Sequence, residues 1–334
     1  MKFELMRVVG KGTLVASAAV LAVAFATATE SSAKEYRLGT IVPASHLWNK
    51  AAESMGDKLE ERSNGEITVS VFPSGQLGDE SQMVQQLQTG ALDMAFLTIA
   101  DVSNRVPEFG ALYAPFLVND VSQANEILSG PTAQGLLELL PKQMGVVGID
   151  YGIATMREML STEPVESIDD LKGKKMRITP FKPFRDFYTI LGIAPTPMPL
   201  PDVYDALANG QVDAIDIDPE LILAFKLYDR APHLLLTNHA MFPMVGLVSG
   251  RVWAGMSEED REMVRTAMRE SLAELRQEYA EAEPQMIEDI RATGIEVKPV
   301  GPDFFPGVVE QWEEIWSDQK PTIDALRDEA AQLQ

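Results

Sequence analysis

Arg177 is the residue whose type and setting point most directly to chemistry. It lies in Leu171-Lys172-Gly173-Lys174-Lys175-Met176-Arg177-Ile178-Thr179, a glycine turn feeding an apolar strand that Pro180 ends. A guanidinium there is either paired with an acid in the core or aimed at a ligand. If aimed at a ligand, its planar fork of donors suits a carboxylate, and such a charged hydrogen bond contributes about 1.5–3 kcal/mol. In a parallel α/β sheet the carboxyl ends of strands open onto the binding crevice, and Arg177 is close to such an end. Asp216 and Asp218 form a second candidate group. Side chains alternate along a strand, so both would face away from Ile215 and Ile217, just before Pro219. They could accept hydrogen bonds from hydroxyls or an ammonium, or hold a hard cation such as Ca²⁺. The plainer alternative is that they cap the next helix, which suits Asp218 better than Asp216. Phe181, Phe184, Phe187 and Tyr188 read as core, with Phe181 also placed to line a cleft.

Other chemistries leave no trace. The three histidines, His46, His233 and His239, include no pair three or four residues apart, so no zinc site is expected. The absence of cysteine removes disulfides, thiolate nucleophiles and Cys-ligated metals together. No serine elbow, phosphate loop or dinucleotide fingerprint is present, so neither a cofactor nor a resident metal is expected. A serine or aspartate catalyst would leave no such signature, which keeps an enzyme as one of the readings.

The elements that must position these residues alternate. Tyr36–Val42 reads as a strand, Leu47–Leu59 as a helix with Trp48, Ala51, Ala52, Met55 and Leu59 on one face, and Glu66–Phe72 as a second strand after the Asn64-Gly65 turn. Ser81–Gln88 then reads as a helix stopped by Gly90. Such alternation with short connections predicts a mostly parallel sheet covered by helices. Residues 85–97 are echoed by 205–217, with Leu87, Gly90 and Asp93 falling on Leu207, Gly210 and Asp213. Each copy is a helix end, a glycine able to take positive φ, and an Asp opening an apolar strand. Two lobes built alike are therefore expected, joined by short crossing strands. From Ser257-Glu258-Glu259-Asp260 a charged helix runs to about Ile290, long enough to brace both lobes.

Lys2, Arg7 and Lys11 precede a small and apolar run from Thr13 to Ala28, followed by small-residue cleavage sites, so residues 1–33 read as an export signal. The run is shorter than a membrane span requires. An uncleaved anchor is the alternative, and it would leave the remainder unchanged. The rest of the chain holds 25 basic against 48 acidic residues, a net charge of −23. A surface this acidic repels nucleic acid and anionic lipid alike, so neither is an expected partner.

Phe-Pro-Ser-Gly-Gln-Leu-Gly-Asp-Glu (72–80), Gly-Ala-Leu-Asp (90–93), Leu-Lys-Gly-Lys-Lys-Met-Arg (171–177), Pro-Thr-Pro-Met-Pro (195–199), Asp-Val-Tyr-Asp-Ala-Leu (202–207) and Leu-Thr-Asn-His (236–239) occur in the order seen in one family. With them the chain resembles the solute-binding proteins of TRAP transporters, DctP type. The resemblance implies a periplasmic-binding-protein-like α/β fold with two similar lobes around a central cleft. It implies lobe I as 34–155 plus about 243–283, and lobe II as 156–242 plus about 284–334. It further implies a periplasmic, non-enzymatic receptor for a small organic acid that closes by hinge bending and docks on TRAP permease membrane subunits. The family's carboxylate-binding arginine falls on Arg177 and a second arginine on Arg157. Its acidic contact falls on Glu80 and a cleft residue near Thr98, while Pro43–Trp48 is a ligand-facing segment in which His46 is the expected contact. Where many members have Val-Asp-Gly-Gln-Glu-Asn-Pro, this chain has Val212-Asp213-Ala214-Ile215-Asp216-Ile217-Asp218-Pro219. An amide that could donate to a second carboxylate is replaced by an acid. That disfavours a C4-dicarboxylate and favours a sugar acid or a hydroxy or amino monocarboxylate. A sensory receptor for the same ligand is a further alternative.

Overall fold

The computed structural model describes residues 33–333; the segment read as an export signal, all but Ala33, lies outside them. Strand β1 (Lys34–Gly39) leads into helix α1 (Leu47–Arg62), whose predicted apolar face is buried. Next come β2 (Ile67–Phe72), α2 (Glu80–Thr89), β3 (Met94–Thr98) and α3 (Ile99–Ser103). Helices α4 (Val121–Ser129), α5 (Pro131–Leu137) and α6 (Leu140–Gln143) precede β4 (Val146–Ile153). The chain crosses over at 154–157 into β5 (Glu158–Ser161), β6 (Lys175–Ile178), α7 (Lys182–Ile190), β7 (Ala194–Pro197), α8 (Val203–Ala208), β8 (Ala214–Ile217), α9 (Pro219–Ala224) and β9 (His233–Leu236). It returns at 237–242 to β10 (Pro243–Ser249) and α10 (Gly250–Gly255). Helix α11 (Glu258–Ala292), β11 (Glu296–Pro299), α12 (Val308–Ile315) and α13 (Lys320–Ala331) complete the chain.

Two sheets result, ordered β2-β1-β3-β10-β4 and β11-β9-β5-β8-β6-β7. Reversing the second shows the same plan. In each, three parallel strands are followed by one antiparallel strand, β10 or β5, that has just crossed from the other lobe. Strands β3 and β8 occupy equivalent central places and are buried along their whole length, as strands covered on both faces must be. The internal repeat is the sequence record of this equivalence. Gly90 and Gly210 both hold positive φ, +79° and +65°. The Asp93 carboxylate accepts the Arg37 N–H at 2.8 Å, and that of Asp213 accepts the Lys175 N–H at 2.8 Å. Their carbonyls accept in parallel fashion from Ser249 N–H and Thr162 N–H, at the ends of β10 and β5. One Asp per lobe thus pins three neighbouring strands.

The crossing segments are bonded to each other, Ala154 N–H to Phe242 O at 3.0 Å and Arg157 N–H to Ala240 O at 2.8 Å. Helix α11 packs against α1 and β4 of the first lobe and α9 of the second, a brace about 50 Å long at 1.5 Å per residue. Two expectations shift. The first strand ends at Gly39 rather than Val42, because Asn49 of α1 donates to Val42 O (3.3 Å) and Pro43 O (2.6 Å) and draws that stretch out of the sheet. The C-terminal segment stays with lobe II through β11 and α12 but not in its last helix. Helix α13 buries Ile323, Leu326 and Ala330 and packs on α4 and α5 of lobe I, where Arg327 donates to Pro115 O at 3.1 Å. No described helix is long and apolar enough to cross a membrane.

At Gly210 an added Cβ would meet nothing within 4 Å, so the cost of a side chain there is backbone conformation alone. Gly210→Ala is expected to lower stability by about 1–2 kcal/mol, read as a lower urea midpoint at unchanged slope.

Candidate functional site

The cavity between the lobes has a volume of about 470 Å³, within the range of small-molecule sites. Its walls are the loops at the carboxyl ends of three strands from each lobe. From lobe I come the loops after β1 (Ile41, His46), β2 (Ser74, Gly78, Glu80) and β3 (Thr98, Asp101); from lobe II, those after β6 (Thr179, Pro180), β7 (Pro199, Leu200) and β8 (Asp218, Leu221). The crossing segments supply Ala154, Arg157 and Phe242. This is where a doubly wound sheet presents ligand-binding groups, once for each lobe.

The two arginines are held in different ways. Arg157, at the end of a crossing segment, is ion-paired: Nε donates to Asp216 Oδ1 at 2.6 Å and Nη1 to Asp218 Oδ2 at 3.1 Å, while Nη2 reaches Asp216 O at 2.5 Å. Its guanidinium lies 4.4 Å over the Phe242 ring. Arg177 is 2% exposed, yet it donates only to carbonyls. Nε and Nη2 bond Met198 O at 3.0 and 2.9 Å, and Nη1 bonds Asp216 O at 3.2 Å. Among the described residues it has no carboxylate partner. Of its five N–H groups these use three, leaving one on each terminal nitrogen at the cavity wall. Burial and the neighbouring Arg157 charge push its pKa down to about 9. A buried cation with free donors and no ion-pair partner of its own has donors to offer an anion.

Asp216 does not line the cavity. It is fully buried beneath it, where Oδ2 accepts from Tyr188 Oη at 2.7 Å and lies 2.9 Å from His239 Nε2. Burial alone would raise its pKa, but the Arg157 charge and the bonds from His239 and Tyr188 outweigh that and hold it low. Asp218 does line the cavity, and it caps α9 by accepting the Leu221 N–H at 3.0 Å while its other oxygen meets Arg157. With a guanidinium between them, these two carboxylates are not a cation site. Phe181 also lies away from the cavity, packed against Tyr113 and Phe184 at centroid distances of 4.6 and 4.5 Å.

Across from the arginines, Glu80 accepts Thr98 N–H at 2.6 Å and Thr98 Oγ1–H at 3.0 Å. Burial, reinforced by Asp101, raises its pKa to about 8 despite those bonds. Asp101 Oδ2 is buried with no hydrogen-bond partner, 3.6 Å from Arg105. His46 is a wall rather than a polar contact: Nδ1 accepts the Trp48 N–H at 3.2 Å, and burial lowers its pKa to about 3, so the ring is neutral. The structure thus brings Arg177, Arg157, Glu80, Thr98, His46 and Asp218 to one cavity and leaves Asp216 and Phe181 behind it. Sequence reasoning passed over Phe242, Asp101 and the loops 74–78 and 199–201. The rule that strand ends face the crevice, applied to all six strands, would have found the loops.

The sequence profile of the DctP family, bacterial extracellular solute-binding protein family 7, matches residues 38–321. The chain belongs to this family of TRAP transporter solute-binding proteins. The sialic acid-binding periplasmic protein SiaP of Vibrio cholerae is 27% identical over 281 residues, covering 84% of this chain and 87% of its own. Among solved structures, a TRAP periplasmic solute-binding protein from Xanthobacter autotrophicus Py2 with bound β-D-galacturonate superposes with a TM-score of 0.83 at 29% identity, covering 88% of this chain and 99% of that one. One from Bradyrhizobium in complex with α/β-D-galacturonate does so with 0.83 at 30%, covering 88% and 100%. Members of this DctP family are transport receptors rather than enzymes.

Removing the Arg157 side chain strands the buried Asp216 charge, whereas removing that of Arg177 strands none. Arg157→Met is expected to cost about 3–5 kcal/mol, whereas Arg177→Met is expected to leave stability unchanged or to raise it, by urea unfolding without ligand. Equal losses would mean that Arg177 does have an acid partner. Burial raises Glu80 and Glu158 to about 8 and Glu220 and Glu283 to about 7. The native state therefore keeps protons that the unfolded chain has already released, and stability should fall as pH rises from about 5 to about 8.5. A melting temperature that is flat or rises across that window would contradict this.

Proposed function

We propose that this DctP-family protein captures a hydroxylated monocarboxylate, a sugar acid, in its cleft and hands it unchanged to TRAP permease membrane subunits in the periplasm. The observation that carries the reading is Arg177: a buried guanidinium on the cavity wall, bonded to carbonyls alone, with two donors free. A single carboxylate supplies the missing charge. A second would face the acids Glu80, Asp101 and Asp218, of which Asp101 Oδ2 is buried without a donor. Hydroxyls answer that wall better, because each can donate to a carboxylate oxygen such as Asp101 Oδ2 and still accept from a neutral Glu80. Relatives crystallised with galacturonate support the same class. In this reading Arg177 grips the acid, Arg157 lends charge from its ion pair, and Glu80, Thr98 and Asp101 read the hydroxyls.

A thermal-shift series with D-galacturonate, D-glucuronate, succinate and malate tests this. A ligand at a thousandfold its Kd adds about 4 kcal/mol to stability, so a sugar acid should raise the melting temperature by several degrees and the dicarboxylates should not. Arg177→Ala should abolish the shift, and mass spectrometry should recover the acid intact. A larger shift with succinate, or binding retained by Arg177→Ala, overturns the reading.

A further inference from the structure

Glu220, in the first turn of α9, does not itself line the cavity, yet it is where the lobes meet. Its Oε1 accepts the Leu47 N–H at 3.0 Å, the first amide of α1 in the opposite lobe. Its Oε2 lies 3.1 Å from His46 Nε2 and also accepts the hydroxyl of Tyr279 on the brace helix α11. Because His46 Nδ1 is taken by the Trp48 N–H, Nε2 carries the proton and donates. Three donors from across the cleft thus converge on one carboxylate, which sits at the positive end of a sixteen-residue helix. On the other rim the only comparable bond between described residues is Asn104 Nδ2 to Pro180 O, 3.1 Å, exposed to solvent.

We propose that Glu220 is a positioning residue for ligand capture, a clasp that holds the lobes shut and fixes the His46 ring in the cavity wall. The titratable groups around it are His46 at the N-cap of α1, Lys50 of α1, Tyr279 of α11 and Asp218 beside it, with Glu278 acting on Tyr279. Burial, reinforced by Asp218, raises its pKa in the closed arrangement to about 7 against the bonds from Tyr279 and Leu47. An open cleft would return it to the ordinary carboxylate range. Closing therefore takes up a proton between those two values, so closure is favoured as pH falls through that window and opposed above it.

The test uses the full chain as wild type, Glu220→Gln, Glu220→Ala and Tyr279→Phe, with circular dichroism to confirm folding. Without ligand, the Leu47 amide should exchange at least tenfold faster in Glu220→Ala, and its radius of gyration by X-ray scattering should rise. Tyr279→Phe should move both measures in the same direction by less. The wild type should become more compact from pH 8 to pH 5.5, and the component of that change due to Glu220 should vanish in Glu220→Gln. This clasp serves the cleft in which the sugar-acid reading rests, so D-galacturonate is added in a second arm, where Glu220→Ala should release it about tenfold faster. If D-galacturonate binds no variant, the sugar-acid reading fails while the exchange and scattering still judge the clasp. Wild-type exchange and compactness in both Glu220→Ala and Tyr279→Phe, or an unchanged pH response in Glu220→Gln, would overturn it.

Discussion

A guanidinium taken out of water with no anion beside it costs several kcal/mol, and the cleft of this protein is arranged around one. Arg177 is held in place by the carbonyls of Met198 and Asp216, which orient it without cancelling its charge. The acid that might have cancelled it, Asp216, is bound instead to Arg157, Tyr188 and His239. The same residue therefore gives its carboxylate to Arg157 alone and its carbonyl to both arginines. That division leaves one ion-paired and one unpaired cation side by side, and the proposed capture of an acid rests on the second.

The architecture places this charge where a ligand can reach it. Both sheets follow one plan, and in both the carboxyl ends of the three parallel strands face the gap. The crossing segments carry Arg157 and Phe242 into the gap, so the chain that joins the lobes also forms the floor of the site. Glu158 ties the two crossings together by accepting the Thr237 and Asn238 amides, and Glu283 of α11 accepts the Met156 N–H. Crossing segments, brace and cavity floor are thus one bonded unit.

Much of this was legible in order along the chain. The helix begun at Leu47 and read to Leu59, the long brace and the paired Gly-Asp junctions follow from apolar spacing, a serine N-cap and glycine conformation, all of which are local. Strand alternation correctly put Asp216 and Asp218 on one side, since both meet Arg157. It did not show that the nearest object on that side would be an arginine 59 residues away in sequence rather than open cavity. Phe181 failed to reach the cleft for a related reason: Tyr113 and Phe184 form an aromatic cluster that takes its ring. Helix α13 reads as a plain amphipathic segment, and nothing in it says which lobe offers the better apolar surface.

By itself the sequence determined the alternation of elements, the doubling of the lobe, the lack of thiol and histidine-pair chemistry, and the family, because these rest on residue types and short spacings. Only the tertiary structure decided which arginine would be paired, which acids would line the cavity, and that Glu220 would reach across to α1. Those outcomes depend on which of several chemically equivalent partners lies within about 3 Å, and strand order and lobe closure, not local pattern, set that distance.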